Sequence, residues 1–233
     1  MSPVVLGLGL FGGLFGGHDG NCRQGVEQAA RTMQRIERQW PLRSPVDPVV
    51  VYLQRLGERL ASVDAGGRRG SWRFHVLRNL EPTAFAAGGG NIVVSDGLIA
   101  LVRGEDELAA VLAHEIAHQQ LGHFCRASSD AGRRIRLGSV VQHFDLDFEI
   151  DADAAAVRRL ALAGYDPGAM RGVLTCLTHR RPRSSNSGLN ARLDALDGVL
   201  GSRSGAQVRS APGFERVRRL VLEDVGGGVK RCR

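Results

Sequence analysis

A mostly helical α+β fold is predicted for this 233-residue chain from three observations. Apolar residues recur at three- and four-residue spacing in several long stretches, and two short runs near the middle read as strands. The composition, 43% hydrophobic, 5% aromatic and 24% charged, fits an ordinary globular protein and excludes collagen-like, coiled-coil and bulk-disordered chains. Enough Leu, Val and Ala is spread over residues 48 to 200 to fill one core, so a single domain over residues 21–200 is expected, between a leader at 1–20 and a basic tail at 201–233.

The elements follow in order. Val26, Ala29, Ala30, Met33 and Ile36 give residues 21 to 40 a helical stripe, closed by Pro41 and Pro45. Asp47-Pro48 reads as the cap and first residue of a second helix, with Val50, Leu53, Leu56 and Leu60 on one face and Ala65-Gly66-Gly67 at its end. Trp72, Phe74 and Val76 alternate with Arg73, His75 and Leu77 as in a strand. Ile92-Val93-Val94 suggests another after the Gly88-Gly89-Gly90 break, with Phe85 in a short extended piece between them. Helices are predicted from about Glu105 to Gln120, opened by an acidic first turn, from about Phe148 to Ala163, from Asp166-Pro167 onward, and from Asn190 to Leu200. Phe214 to Val225 has helical spacing inside the tail.

The formal charge of +7 is concentrated at the C-terminus: from Arg203 onward eight Lys and Arg face three Asp and Glu. Neither a helix-turn-helix nor an RNP signature accompanies it, so a solvated tail is expected and no nucleic-acid partner. Cys22, Cys125, Cys176 and Cys232 form no C-x-x-C pair, and Cys176 falls on an apolar helical stretch as a core residue. Val4 to Gly17 is an apolar, Gly-rich run of signal-peptide length, too short to span a bilayer. Export to the periplasm or association with a membrane is the expectation it supports, although no Lys or Arg precedes it and no A-x-A site follows.

Within the Glu105 helix lies His114-Glu115-Ile116-Ala117-His118. Residues i and i+4 stand one above the other on a helix, so both imidazoles reach one ion while Glu115 projects about 100° round the axis, placed to act as a general base. Chance alone yields about one such match per hundred chains of this composition. A catalytic zinc needs a third protein ligand and one open position. A histidine at position 124 would serve, but Phe124 stands there and His123 falls one residue early; His123 is read instead as a helix C-terminal histidine that complements the dipole. A Glu from a later helix is the alternative, and Glu149 offers one. Asp153, four residues on, shares its face and is placed to accept the free imidazole N–H of His114.

These residues resemble a known family, the gluzincin metallopeptidases that include the CAAX prenyl endopeptidases, the HtpX-type proteases and the soluble bacterial periplasmic quality-control proteases. The family pattern H-E-x-x-H followed by E-x-x-A-D is matched by His114, Glu115, His118, Glu149, Ala152 and Asp153. The similarity continues through Leu121-Gly122-His123 and Ala163 to Pro167, and upstream through Ala84-Phe85-Ala86, Gly89-Gly90, Ile92, Val94 and Gly97-Leu98. It covers roughly residues 45 to 200.

The resemblance implies a zincin-like domain with a small sheet beside the active-site helix. It implies one zinc ion per chain on His114, His118 and Glu149, with Glu115 activating a zinc-bound water for hydrolysis of peptide bonds. Polypeptides, misfolded or associated with the cell envelope, are the substrates it suggests; a zinc-binding, chaperone-like or latent homologue is the alternative. Ile92, Val93 and Val94 are expected to form an outer strand that pairs with extended substrate, and Arg192 is assigned to the same substrate side. The chain departs from the family where a His-Pro pair often follows the ligand helix: Ser185-Asn186-Ser187 precedes Arg192, with Asn186 in place of the histidine.

Overall fold

The computed structural model describes residues 23–63, 71–123, 145–180, 187–201, 211–226, 229 and 231–232. The expected leader at 1–20, Asn186, Cys22, Cys125 and His143 lie outside them. The fold is α+β and mostly helical, and no described helix is long and apolar enough to cross a membrane.

Helix α1 (Arg23–Gln39) buries Ala29, Met33 and Ile36 on the stripe its spacing predicts, and packs on the sheet beside Leu77, Phe85, Ala87 and Val93. Helix α2 (Pro48–Ser62) starts where expected: Asp47 Oδ1 accepts the Val49 N–H at 2.8 Å, and Pro48 occupies a position whose missing N–H costs nothing. Its buried face, Val50, Leu53, Leu56 and Leu60, meets strand β1 (Arg73–Leu77). A Cβ at Gly57 would stand 2.0 Å from the Phe74 ring, so the absence of a side chain there sets how closely α2 and the sheet approach.

The sheet corrects one expectation. Strands β1, β2 (Ala84–Gly88) and β3 (Asn91–Ser95) lie in the order β1-β3-β2, so the Ile92–Val94 strand is central. It runs parallel to β1, with Phe74 opposite Ile92, and antiparallel to β2, with Ala86 opposite Ile92. Ile92, Val93 and Val94 are wholly buried with both backbone edges paired, so they cannot receive a substrate strand. Three consecutive β-branched residues without alternation mark a strand covered on both faces. The outer strand beside the next long helix is β2.

Ser95 then caps a short helix, α3 (Asp96–Leu101), by accepting the Leu98 N–H at 3.1 Å. Every residue of α3 is buried, so it has no amphipathic period and gives no helical signal in the sequence. Helix α4 (Glu105–Gln120) matches its predicted limits and runs through the middle of the molecule, buried from Asp106 to Gln119. Ala109, Ala110, Ala113 and Ala117 keep it slender where α2, β2, α5 (Leu146–Leu162) and α6 (Ala169–Arg180) press against it.

Helix α7 (Ser187–Leu200) packs on α5 and α6. The segment expected as a solvated tail instead forms α8 (Pro212–Asp224), whose Phe214, Val217 and Val221 join the main core against α2 and α3. Arg216 and Arg219 occupy its exposed side, so the basic composition of the segment hides an apolar stripe at three- and four-residue spacing. Asp224 at its end lies 2.7 Å from the buried guanidinium of Arg43, which also grips Asp96 at 2.7 and 3.0 Å. Cys176, expected as a plain core residue, is buried but bonded to Cys232, 56 residues away, and the Cys232 N–H donates to the Leu101 carbonyl at 2.9 Å. The domain thus extends past residue 200.

Candidate metal centre

One turn of α4 presents both histidines to the same point, with Nε2 of His114 and Nε2 of His118 2.9 Å apart. Glu149, in the first turn of α5, completes the group: its Oε2 lies 3.4 Å from His114 Nε2 and its Oε1 3.7 Å from His118 Nε2. The sequence-derived set His114, His118 and Glu149 is therefore brought together, all three ligand atoms within 4.8 Å of one another. Donor atoms about 2.0–2.1 Å from a tetrahedral zinc stand about 3.3 Å apart, and the observed separations straddle that spacing. Two imidazole nitrogens and one carboxylate oxygen are also the donor types zinc favours.

Each ligand is held from behind. Asp153 Oδ1 lies 2.8 Å from His114 Nδ1, as its place one turn beyond Glu149 predicts. Burial works against a charged His114 ring, but the carboxylates of Asp153 and Glu149 outweigh it and hold its pKa up at about 10. Burial likewise opposes ionisation of Glu149 and Asp153, and the neighbouring His114 and Arg192 overcome it, so both carboxyls stay below their ordinary range. Burial, with the neighbouring His114, His123 and Arg192 adding to it, holds the pKa of His118 well below normal. It is thus the neutral imidazole that a metal requires.

Arg192, expected on the substrate side, meets the candidate ligand group from behind. Reaching in from α7, its Nε and Nη2 donate to Asp153 at 2.7 and 2.8 Å, and its Nη1 lies 2.7 Å from Glu149 Oε2. One guanidinium therefore orients both a ligand and the carboxylate behind another ligand, with its side chain only 13% exposed. Its planar fork of donors makes this double duty possible.

Glu115 is buried next to the group without joining it, and the Ala86 backbone N–H of β2 donates to its carboxylate. Burial raises its pKa to about 7, with Glu149 adding to the rise and His114 opposing it. The helix also fastens the β2–β3 turn: the Gly90 N–H donates to Gln119 Oε1 at 2.7 Å, and Gln119 Nε2 donates to the Asn91 carbonyl at 2.9 Å. An outer strand and a buried carboxyl raised toward neutrality thus lie beside the three candidate ligands.

His123, read from the sequence as a helix C-terminal histidine, is fully buried. Gly122 adopts φ +68°, which turns the chain back at the end of α4, and His123 enters the interior with no exposed surface. Its Nδ1 lies 2.9 Å from His118 Nδ1, and its ring stacks on Phe148 at 4.7 Å. The left-handed glycine immediately before it was the available signal.

Comparison with known proteins agrees with this arrangement. Residues 50–143 match the model of peptidase family M48, a span that contains His114, Glu115 and His118 and ends before Glu149. That span is similar to a peptidase family M48 domain. A mitochondrial metalloendopeptidase OMA1 of Schizosaccharomyces pombe is 32% identical over 174 residues, covering 66% of this chain and 47% of the relative. Beta-barrel assembly-enhancing proteases of Yersinia pestis and Escherichia coli K12 are each 30% identical, over 159 and 170 residues. They cover 55% and 60% of this chain and 32% and 35% of the relatives. The chain thus spans less than half the length of these relatives. The third ligand lies past the matched span, so its assignment rests on the convergence of α4 and α5.

Proposed function

We propose that this chain is a zinc-dependent metalloendopeptidase that hydrolyses peptide bonds in protein substrates. The observation that carries the proposal is the meeting of His114, His118 and Glu149 at one point, with the Glu115 carboxylate beside it and taking no part in the ligand set. His114, His118 and Glu149 are the residues that would hold the ion. Zinc bound there supplies a Lewis acid that polarises a carbonyl oxygen and lowers the pKa of water.

The remaining work falls to the protein. Glu115, with a metal-free pKa of about 7, accepts a proton on its carboxylate and later returns it to the departing amine. The Ala86 N–H and the hold of Gln119 on the β2–β3 turn fix where that carboxylate sits. Substrate in extended form pairs with the outer strand β2, in place of Ile92–Val94, giving affinity through backbone hydrogen bonds and little sequence preference. Asp153 and Arg192 hold His114 and Glu149 in place and do not touch substrate.

Misfolded or envelope-associated proteins are the substrates we favour, supported by the names of the bacterial relatives. An exported location is supported by the Cys176–Cys232 disulfide, since such bonds persist in oxidising compartments. The test compares wild type with Glu115→Gln, measuring zinc content and cleavage of unfolded casein with a chelator control. Zinc in both proteins with chelator-sensitive cleavage in wild type alone is the expected result. Equal cleavage by the two removes Glu115 as the base, and zinc without cleavage in either points to a binding or latent role.

A further inference from the structure

His123 lies outside the ligand group, yet it touches both helices that supply ligands. It is the third residue after α4, its Nδ1 is 2.9 Å from His118 Nδ1, and its ring lies on Phe148, the residue before Glu149 in α5. At that distance one proton lies between the two nitrogens, one donating and the other accepting. His118 turns Nε2 toward His114 and Glu149, so that nitrogen must keep its lone pair for an ion. The proton of His118 is then on Nδ1, and His123 Nδ1 is the acceptor.

We propose that His123 is a positioning residue of the metal centre. By accepting from His118 it fixes the tautomer and orientation of the second ligand ring, as Asp153 does for the first. Through its stack on Phe148 it also holds the start of α5, where Glu149 is placed, in register with α4. The two ligand histidines are thus braced by different groups, a carboxylate behind His114 and an imidazole behind His118. His123 cannot be a further ligand, because it meets His118 on the nitrogen opposite the one that faces the site. This inference rests on the metal reading given above.

Two substitutions separate its parts. His123→Phe keeps an aromatic ring against Phe148 and removes the acceptor; His123→Asn gives up the ring and places an amide oxygen close to where Nδ1 stood. Zinc affinity is measured by competition with a chromophoric chelator, alongside the melting temperature of each metal-free protein. The expected result is zinc binding about 10- to 100-fold weaker in His123→Phe and within about threefold of wild type in His123→Asn, whose loss of the stack on Phe148 shows instead as a lower metal-free melting temperature. Rescue by Asn is a result that loss of packing alone cannot produce. Wild-type affinity in His123→Phe, or equal losses in the two variants, overturns the proposal. If wild type itself takes up no zinc, the metal reading fails and this inference falls with it; tight zinc in wild type and in His123→Phe together overturns the inference alone.

Discussion

Arg192 shows most clearly what a single residue does here. It faces Glu149 and Asp153, and burial makes that partnership obligatory: without it two carboxylates would share a poorly hydrated space with only His114 to balance them. Arg192→Ala is therefore expected to destabilise the metal-free protein by about 3–5 kcal/mol, the range for removing one member of a buried pair. Arg192→Lys recovers part of that loss, since an ammonium supplies charge but not the paired donors. Chemical denaturation of the two variants beside wild type checks the order. At this scale the sequence was legible wherever spacing on one helix determines contact, as for His114 with His118 and Glu149 with Asp153. It was silent where contact depends on tertiary placement. Arg192 is 39 residues from Asp153 along the chain, and His123 reaches its neighbour only because Gly122 turns the backbone inward.

Among the elements, α2, α4 and the turn after α5 are joined by one polar cluster. The chain's two tyrosines, Tyr52 and Tyr165, both donate to Glu105 at the start of α4, Tyr165 at 2.9 Å, and Arg59 donates to Tyr165 at 3.1 Å. Burial and the Glu105 carboxylate raise both phenols, Tyr165 to about 12 and Tyr52 further. A folded pKa above the unfolded value of about 10 gives stability that is complete below pH 10 and lost as pH rises through the folded value. Tyrosinate absorbance should accordingly show no titration near pH 10 in the native protein, and should rise only at higher pH. Glu105→Gln is expected to bring the transition back toward 10; a normal tyrosine titration in wild type would contradict the cluster. Capped and amphipathic elements could be read from sequence, as Asp47-Pro48 and the α1 stripe show. Elements buried on every side carry no period: α3 gave no helical signal, and β3 could be read as a strand but not as the central one.

For the molecule as a whole, the C-terminal segment matters more than its composition suggests. Phe214, Val217 and Val221 sit in the core, Asp224 reaches Arg43, and Cys232 is covalently tied to α6. Closing a loop of this length restricts the unfolded chain by about 4 kcal/mol on an entropic account. Cys232→Ser is expected to cost about 2–4 kcal/mol by thermal or chemical denaturation. Reduction of the wild type should also destabilise it, and peptide mapping without reduction should recover Cys176 and Cys232 in one disulfide-linked pair of peptides. The arginine-rich composition concealed this role, because charge dominates the average of a segment whose buried positions are few and regularly spaced.

The grip of Gln119 on the β2–β3 turn has a consequence for what can enter the site. The residue following His118 clamps the turn that leaves the outer strand, so that strand and the candidate metal-binding helix are tied together. On the proposed peptidase reading, such a template does not widen around a folded guest. A polypeptide is then expected to arrive already unravelled, with selection falling on folding state more than on sequence.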